Sequence, residues 1–222
     1  MSPVQIGSLS WTAVSGGRLH SLGLTNTNLL YVWGGNTVGQ IGLGDSTVPS
    51  FATDPQAQVG LSWTSVSGGL DNTFGIKSDK SGWAWGSNTT GKLGDLSTIS
   101  RSVPVRLPFL WNKIAAGVSH TVGITDGGLL YGWGGNSIGQ LGDGTTTNKS
   151  SPVLIGSTSI YNDVSVLGTH TVAIRSDGLL FGWGLNNYGQ LGDGTTNNKS
   201  SPVQIGSSSW ASVSAGINHT LA

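Results

Sequence analysis

The chain has 222 residues, 37 of them glycine, and its ten Lys and Arg are balanced by ten acids, all Asp, for a formal net charge of zero. Basic residues scattered singly in a neutral chain lack the electrostatic footprint of a nucleic-acid binder, so no nucleic-acid partner is expected. The absence of cysteine excludes disulfide scaffolds and thiolate metal sites, and no apolar run reaches membrane-spanning length, so membrane insertion is not expected.

The opening stretch, MSPVQIGSLSW, shows neither the basic nor the apolar region of a secretory signal. Residues 3–6 (PVQI) read as an outer strand whose three preceding strands are missing. From Trp11 a pattern starts that the chain then repeats. An aromatic (Trp11, Trp63, Trp111, Tyr161) opens a segment such as WTAVSGG, whose alternation predicts a strand. A second short strand follows, HSLGL, NTFGI, HTVGI or HTVAI, and then a turn such as TDGG or RSDG, a strong hairpin signal. The third strand ends in Trp-Gly at Trp33, Trp85, Trp133 and Trp183, each 22 residues after its aromatic and spaced 52, 48 and 50 residues apart. A Gly-rich connection, clearest in WGGNSIGQLGDGTT, leads to a fourth strand with Pro104, Pro152 or Pro202 at its head. Proline at a strand's first position suits an edge, where no ladder donor is needed.

Four antiparallel strands per unit of about fifty residues describe the blade of a β-propeller. The expected fold is all-β, one propeller domain over residues 1–222 with blades at 11–60, 61–107, 108–155 and 160–205. Residues 3–6 and 210–222 form an incomplete blade shared by the termini. That blade lacks its third strand, which suggests a truncated gene product first, a ring completed by another chain second, or an open arc. The run AGxxHTxAI, then DGxLYxWGxNxxGQLGDGTT, then a strand headed SPV, resembles the repeats of the regulator of chromosome condensation family, and the resemblance covers essentially the whole chain. It implies a propeller, usually of about seven blades, in a family whose members serve as exchange factors, photoreceptors, inhibitors and binding modules. A bacterial or bacteriophage-type member is expected here.

Each recurrent polar residue has a functional and a structural reading. His20, His120, His170 and His219 share one repeat position, where a ring could bind metal, but successive blades stand too far apart for ligation at about 2 Å. Hydrogen bonds to the neighbouring blade's backbone are expected instead. Asp95, Asp143 and Asp193 sit in LGDG or LGDL loops with one carboxylate each, too few oxygens for calcium, so Asx-turns are expected. The same loops lack GK[ST] and precede a strand, which removes the phosphate reading. Eight of the nine tryptophans are explained by the repeat, leaving Trp83 as the extra one, and their expected role is packing. No catalytic constellation, metal or cofactor is expected, nor an enzyme.

A specific surface is expected where the repeat is irregular. Repeat 1 displaces Asp45 by two positions, and repeat 2 carries Trp83, Asn72 in place of His, and Leu96 in place of Gly. Asp45, Phe51, Asp54, Trp83, Leu96 and Arg101 are therefore the candidate partner-contact residues, placed around 43–54, at Trp83 and around 96–101. Low charge and richness in Ser, Thr, Asn and Gly point to a non-enzymatic structural or binding module, virion-associated or surface-exposed, with a cytoplasmic setting as the alternative. It would act through protein or receptor contacts, one form of partner being another copy of itself. Two alternatives remain: a regulator of the nucleotide-exchange or chromatin-binding type, and a proteinaceous enzyme inhibitor.

Overall fold

The computed structural model describes residues 4–44, 50–58, 60, 62–156 and 159–222, and these contain strands and turns but no helix. The first sheet holds β1 (Trp11–Gly16), β2 (His20–Thr25), β3 (Leu30–Gly35) and β4 (Phe51–Ala57), hydrogen-bonded in that order. The second unit contributes β5 (Trp63–Gly68), β6 (Asn72–Lys77) and β7 (Ser81–Gly86), and then β8 runs unbroken from Arg101 to Ala116. It is followed by β9 (His120–Thr125), β10 (Leu130–Gly134) and β11 (Lys149–Leu154), and β5 to β11 form one seven-stranded sheet. A four-stranded sheet of β12 (Tyr161–Val166), β13 (His170–Arg175), β14 (Leu180–Gly184) and β15 (Lys199–Ile205) comes next, then a short hairpin of β16 (Ser214–Ala215) and β17 (Thr220–Leu221). All pairings are antiparallel, and the sheets follow one another without closing into a ring.

The β8 strand makes the difference between expected units and observed sheets. Its first part, Arg101 to Leu110, ladders with β7, and its last part, Trp111 to Ala116, ladders with β9. The expected division between 107 and 108 lies inside it. In the later units a glycine at positive φ, Gly156 or Gly206, ends the outer strand. Here Leu107-Pro108-Phe109 stands in that place as a bulge, the ladder passing from Arg106 opposite Trp83 to Leu110 opposite Ser81 while the strand continues.

The core lies between successive units, so no unit can bury it alone. Leu22, Leu30, Val32 and Ile41 of the first unit close on Trp63 and Trp85 of the second. Phe74, Ala84 and Leu93 close on Trp111 and Trp133, and Val122, Leu130 and Ile155 on Tyr161 and Trp183. Each second strand is covered on both faces, which is why HTVGI reads as a continuous run of apolar and small residues rather than an alternation. A Cβ at Gly23, Gly75 or Gly123 would stand 2.4 to 2.6 Å from the ring of Trp11, Trp63 or Trp111. Where the opening aromatic is the smaller Tyr161, the register position of that glycine, opposite Val164, holds Ala173, which shares a core cluster with Tyr161. The glycine after each strand-three tryptophan has φ of 94° to 99°, and a Cβ there would meet a backbone carbonyl oxygen at 2.4 to 2.7 Å.

Three expectations change. Val4 to Ile6 form no strand, and Val4 is 86% exposed, because the third strand they would pair with is absent; Pro3 lies outside the described residues. Residues 210–222 yield only the two-residue strands β16 and β17, since no further strand flanks them. The prolines do not head their strands. Pro152 and Pro202 sit inside β11 and β15, where the register shifts opposite Trp133 and Trp183 and no ladder donor is required.

Candidate functional site

The recurrent histidines build the junctions between units. His20 Nε2 lies 2.9 Å from Thr73 Oγ1 of the next unit, His120 Nε2 2.8 Å from Thr171 Oγ1, and His170 Nε2 3.0 Å from Thr220 Oγ1. Each threonine hydroxyl in turn donates to a carbonyl of the preceding loop, Gln40, Gln140 or Gln190, at 2.8 to 2.9 Å. The hydroxyl has one proton, so the imidazole must be the donor, which fixes the neutral Nε2–H form. Burial pushes His20 and His170 down to about 4 and His120 to about 3. The expected backbone acceptors are thus replaced by a side chain about fifty residues along the chain. In the second unit Asn72 stands in for histidine, and its buried amide atoms have no partner among the described residues, although Thr121 Oγ1 still donates to Lys92 O at 2.9 Å.

The Gly-rich loops are held from inside. Asn136 is fully buried; its Nδ2 donates to Asp143 Oδ1 and Thr145 O at 3.0 Å, and its Oδ1 accepts Leu141 N–H at 2.9 Å. Asn88 and Asn186 repeat the arrangement. Sequence reasoning passed over these asparagines, although W-G-x-N recurs in every unit. The aspartates form Asx-turns: Asp95, Asp143 and Asp193 accept the N–H of Ser97, Thr145 and Thr195 at 2.9 to 3.1 Å. They also pair with Arg101 at 2.7 Å, Lys149 at 3.5 Å and Lys199 at 3.2 Å. Burial raises each carboxyl, but the hydrogen bonds outweigh it, and Asp193 is lowered to about 2. Among the described residues no three His, Cys, Asp or Glu could hold a metal ion.

The six candidate contact residues are scattered. Asp45 lies outside the described residues. Phe51 and Asp54 are exposed but stand in β4 rather than in a loop. Trp83, in β7, is not an extra tryptophan. It pairs with Gly75 as Tyr131 pairs with Gly123, so it fills the repeat's own aromatic position, half-buried with Lys77 Nζ 4.7 Å from its ring. Arg101 opens β8, committed to Asp95. Leu96 is in a loop, 80% exposed, at φ +66°.

Leu96 occupies the place of Gly144 and Gly194, whose φ values are +79° and +77°. Its N–H donates to Ser150 O at 2.9 Å, just as Gly144 N–H donates to Ser200 O, so the junction dictates the left-handed backbone whatever the residue. Phe109 is also held at φ +66°, half-exposed, its ring 4.8 Å from Tyr131 and 5.9 Å from Trp111. A left-handed conformation in a bulky side chain is a true outlier. Leu96, Arg106, Pro108 and Phe109 meet Ser151 and Pro152 of the next unit around a cleft of about 310 Å³. Phe109 and Arg106 were missed because the repeat alignment broke at 107–108. The signal was there in PVRLPFLW, where the later units have an Ile-Gly-Ser turn.

The profile of the "Regulator of chromosome condensation (RCC1) repeat" matches residues 83–124, 127–174 and 177–222, and a second profile of the same repeat matches 11–40 and 111–140. The chain belongs to the RCC1 repeat family. Over 94 residues it is 34% identical to the ultraviolet-B receptor UVR8 of Arabidopsis thaliana, covering 41% of this chain and 21% of the receptor. Over 95 residues it is 34% identical to the probable E3 ubiquitin-protein ligase HERC6 of Homo sapiens, covering 42% of this chain and 9% of that protein. Two solved structures superpose along nearly its whole length. Human WBSCR16 does so with a TM-score of 0.84 at 24% identity, covering 99% of this chain and 59% of that one. Yeast RCC1 (Prp20), solved bound to Kap60, gives 0.85 at 19% identity, covering 98% and 54%. This RCC1-repeat chain therefore spans just over half the length of the solved structures it matches and much less of the curated relatives.

Proposed function

We propose that this RCC1-repeat chain is a non-enzymatic propeller segment of four four-stranded blades, β8 serving two of them, that works by presenting its irregular second repeat to a protein partner. One observation carries the reading. In the regular repeats the conspicuous polar groups are consumed by blade junctions and loop turns, whereas the second repeat sets Leu96 and Phe109 in glycine-type conformations at the surface. A binding role accords with the family, since Prp20 has been solved with Kap60 and described for its binding to Gsp1p and histones. Low charge and a Ser, Thr, Asn and Gly surface support a virion or other exposed setting.

The regulatory reading draws its support from Gsp1p and histone binding by Prp20. Titration of the chain with Gsp1p and with histones at physiological salt separates the two: no binding is expected, and submicromolar binding to either would replace the structural module with the regulator. A photo-crosslinking residue introduced at position 96 and, separately, at its regular counterpart 144 tests the surface. A protein from the source organism should crosslink at 96 and not at 144, and equal labelling at both would remove the second repeat's special role. A second copy of this chain is the alternative partner, supported by the uncovered face of the first sheet, where Val14 is 75% exposed. Sedimentation equilibrium should return a monomer, and a dimer would favour that alternative.

A further inference from the structure

We infer that the cleft between Leu96 and Phe109 seats a short extended segment of a partner protein, a bulky apolar side chain with a carboxylate beside it. This rests on the protein-binding reading above and gives that partner a chemistry. Two independent features point to the occupant. The first is apolar. Leu96 and Phe109, 80% and 49% exposed, line the same cleft, one from a loop and the other from β8, and both hold conformations that glycine holds elsewhere in the chain. Strain retained at an exposed position, where a glycine would relieve it, is the kind found at ligand clamps. The second feature is charge. Arg106, paired through its backbone with Trp83, lines the cleft with an exposed guanidinium that makes no side-chain hydrogen bond or salt bridge among the described residues, with Asp79 as its charged neighbour.

The neighbouring carboxylates are engaged elsewhere: Asp95 is held by Arg101, Ser97 and Asn88, and Asp79 accepts from Ser81, with Arg106 acting on Asp79 only through space and less than Ser81 does. An anionic group entering with the ligand would meet a guanidinium with no direct hydrogen-bond partner, which suits a carboxylate in bidentate geometry. The remaining wall is Pro108 and Pro152, which offer no N–H, with Ser151, Gly94 and the Arg101-paired Asp95. At about 310 Å³ the cleft is at the small end of ligand sites, which run from roughly 300 to 1,000 Å³. It has room for one large side chain and its flanking backbone, not for a folded domain.

The test is a displayed library of random twelve-residue peptides panned against the whole chain, with the enriched peptide then titrated by fluorescence anisotropy. Enrichment of Leu, Phe or Trp adjacent to Asp or Glu is expected, with affinity falling at least tenfold in Arg106→Glu and at least tenfold in Leu96→Gly. Leu96→Gly restores the residue of the later repeats and should raise the melting temperature, so its loss of binding cannot be unfolding. Peptides that bind wild type but are indifferent to both substitutions would overturn this site and leave the binding-module reading standing. Failure to enrich any peptide would count against both. A concentration-dependent dimer abolished by Leu96→Gly would give the cleft to a second copy of the chain instead.

Discussion

The tightest constraint at the residue scale is the pairing of an indole with a missing methyl group. Trp111 is fully buried over Gly123, and an added Cβ would stand 2.6 Å from its ring. Gly123→Ala should therefore cost about 1–3 kcal/mol by overpacking. Most of that added cost should vanish in a Trp111→Tyr background, because the last full repeat already packs Tyr161 in one cluster with Ala173, at the register position of Gly123. A double-mutant cycle by urea denaturation measures the coupling, expected at about 0.5–3 kcal/mol; additive effects would refute the pairing. The loop asparagines are the second constraint. Asn136→Ala leaves the buried Leu141 N–H without its acceptor and frees Asp143 and Thr145 from the amide, so a loss of about 1–3 kcal/mol is expected in the same measurement.

At the scale of the element, the second unit breaks the junction rule followed by the others. Thr121 donates to Lys92 O but receives nothing from Asn72, whose amide is too short to take the place of an imidazole. Asn72→His should supply the missing donor and stabilise the chain by about 0.5–1.5 kcal/mol, read as a higher denaturation midpoint at unchanged slope. A lower midpoint would mean that the junction is better packed without it. Why the sequence revealed the strands but not these contacts is a matter of distance along the chain. A strand and its tight turn are local, and four near-copies of LLYGWG make the pattern plain. The partner of His120 is Thr171, whereas the sequence sets His120 beside Thr121 and so disguises a junction as a dipeptide. The W-G-x-N asparagine was hidden differently: in a Gly-rich run it looks like one more turn residue, and only its complete burial reveals it as the loop's central post. The Leu96–Phe109 cleft needs two segments brought together by β8, and no single window contains it.

For the molecule as a whole, the three buried imidazoles act as one acid-sensitive set. Their folded-state values of about 4, 3 and 4 lie below the ordinary 6.5, so the unfolded chain binds protons more readily. The neutral form's contribution is complete above pH 6.5 and is lost as pH falls toward 4, by up to about 1.4 kcal/mol per pH unit for each histidine. The loop aspartates do not share this window: their carboxyls lie below the ordinary 3.8, and they surrender stability only on further acidification. Denaturation midpoints measured from pH 7 to pH 4 should fall steadily, and less steeply in His120→Gln. A flat profile would mean that the junctions tolerate charge.

The continuous strand β8 has a consequence for how the chain comes apart. Neighbouring repeats in a linear array can fray one at a time, each opening with its own free energy. A single strand of sixteen residues, bulged near Phe109, whose two parts ladder with β7 and with β9 removes that freedom, because loosening either part disturbs the ladder of the other. Deuterium uptake should therefore find the amides of β6 and β9 exchanging together, as the slowest and most cooperative portion of the chain, while the hairpin of β16 and β17 exchanges first. The molecule would then behave less like beads on a string than like a keel with lighter planks on either side.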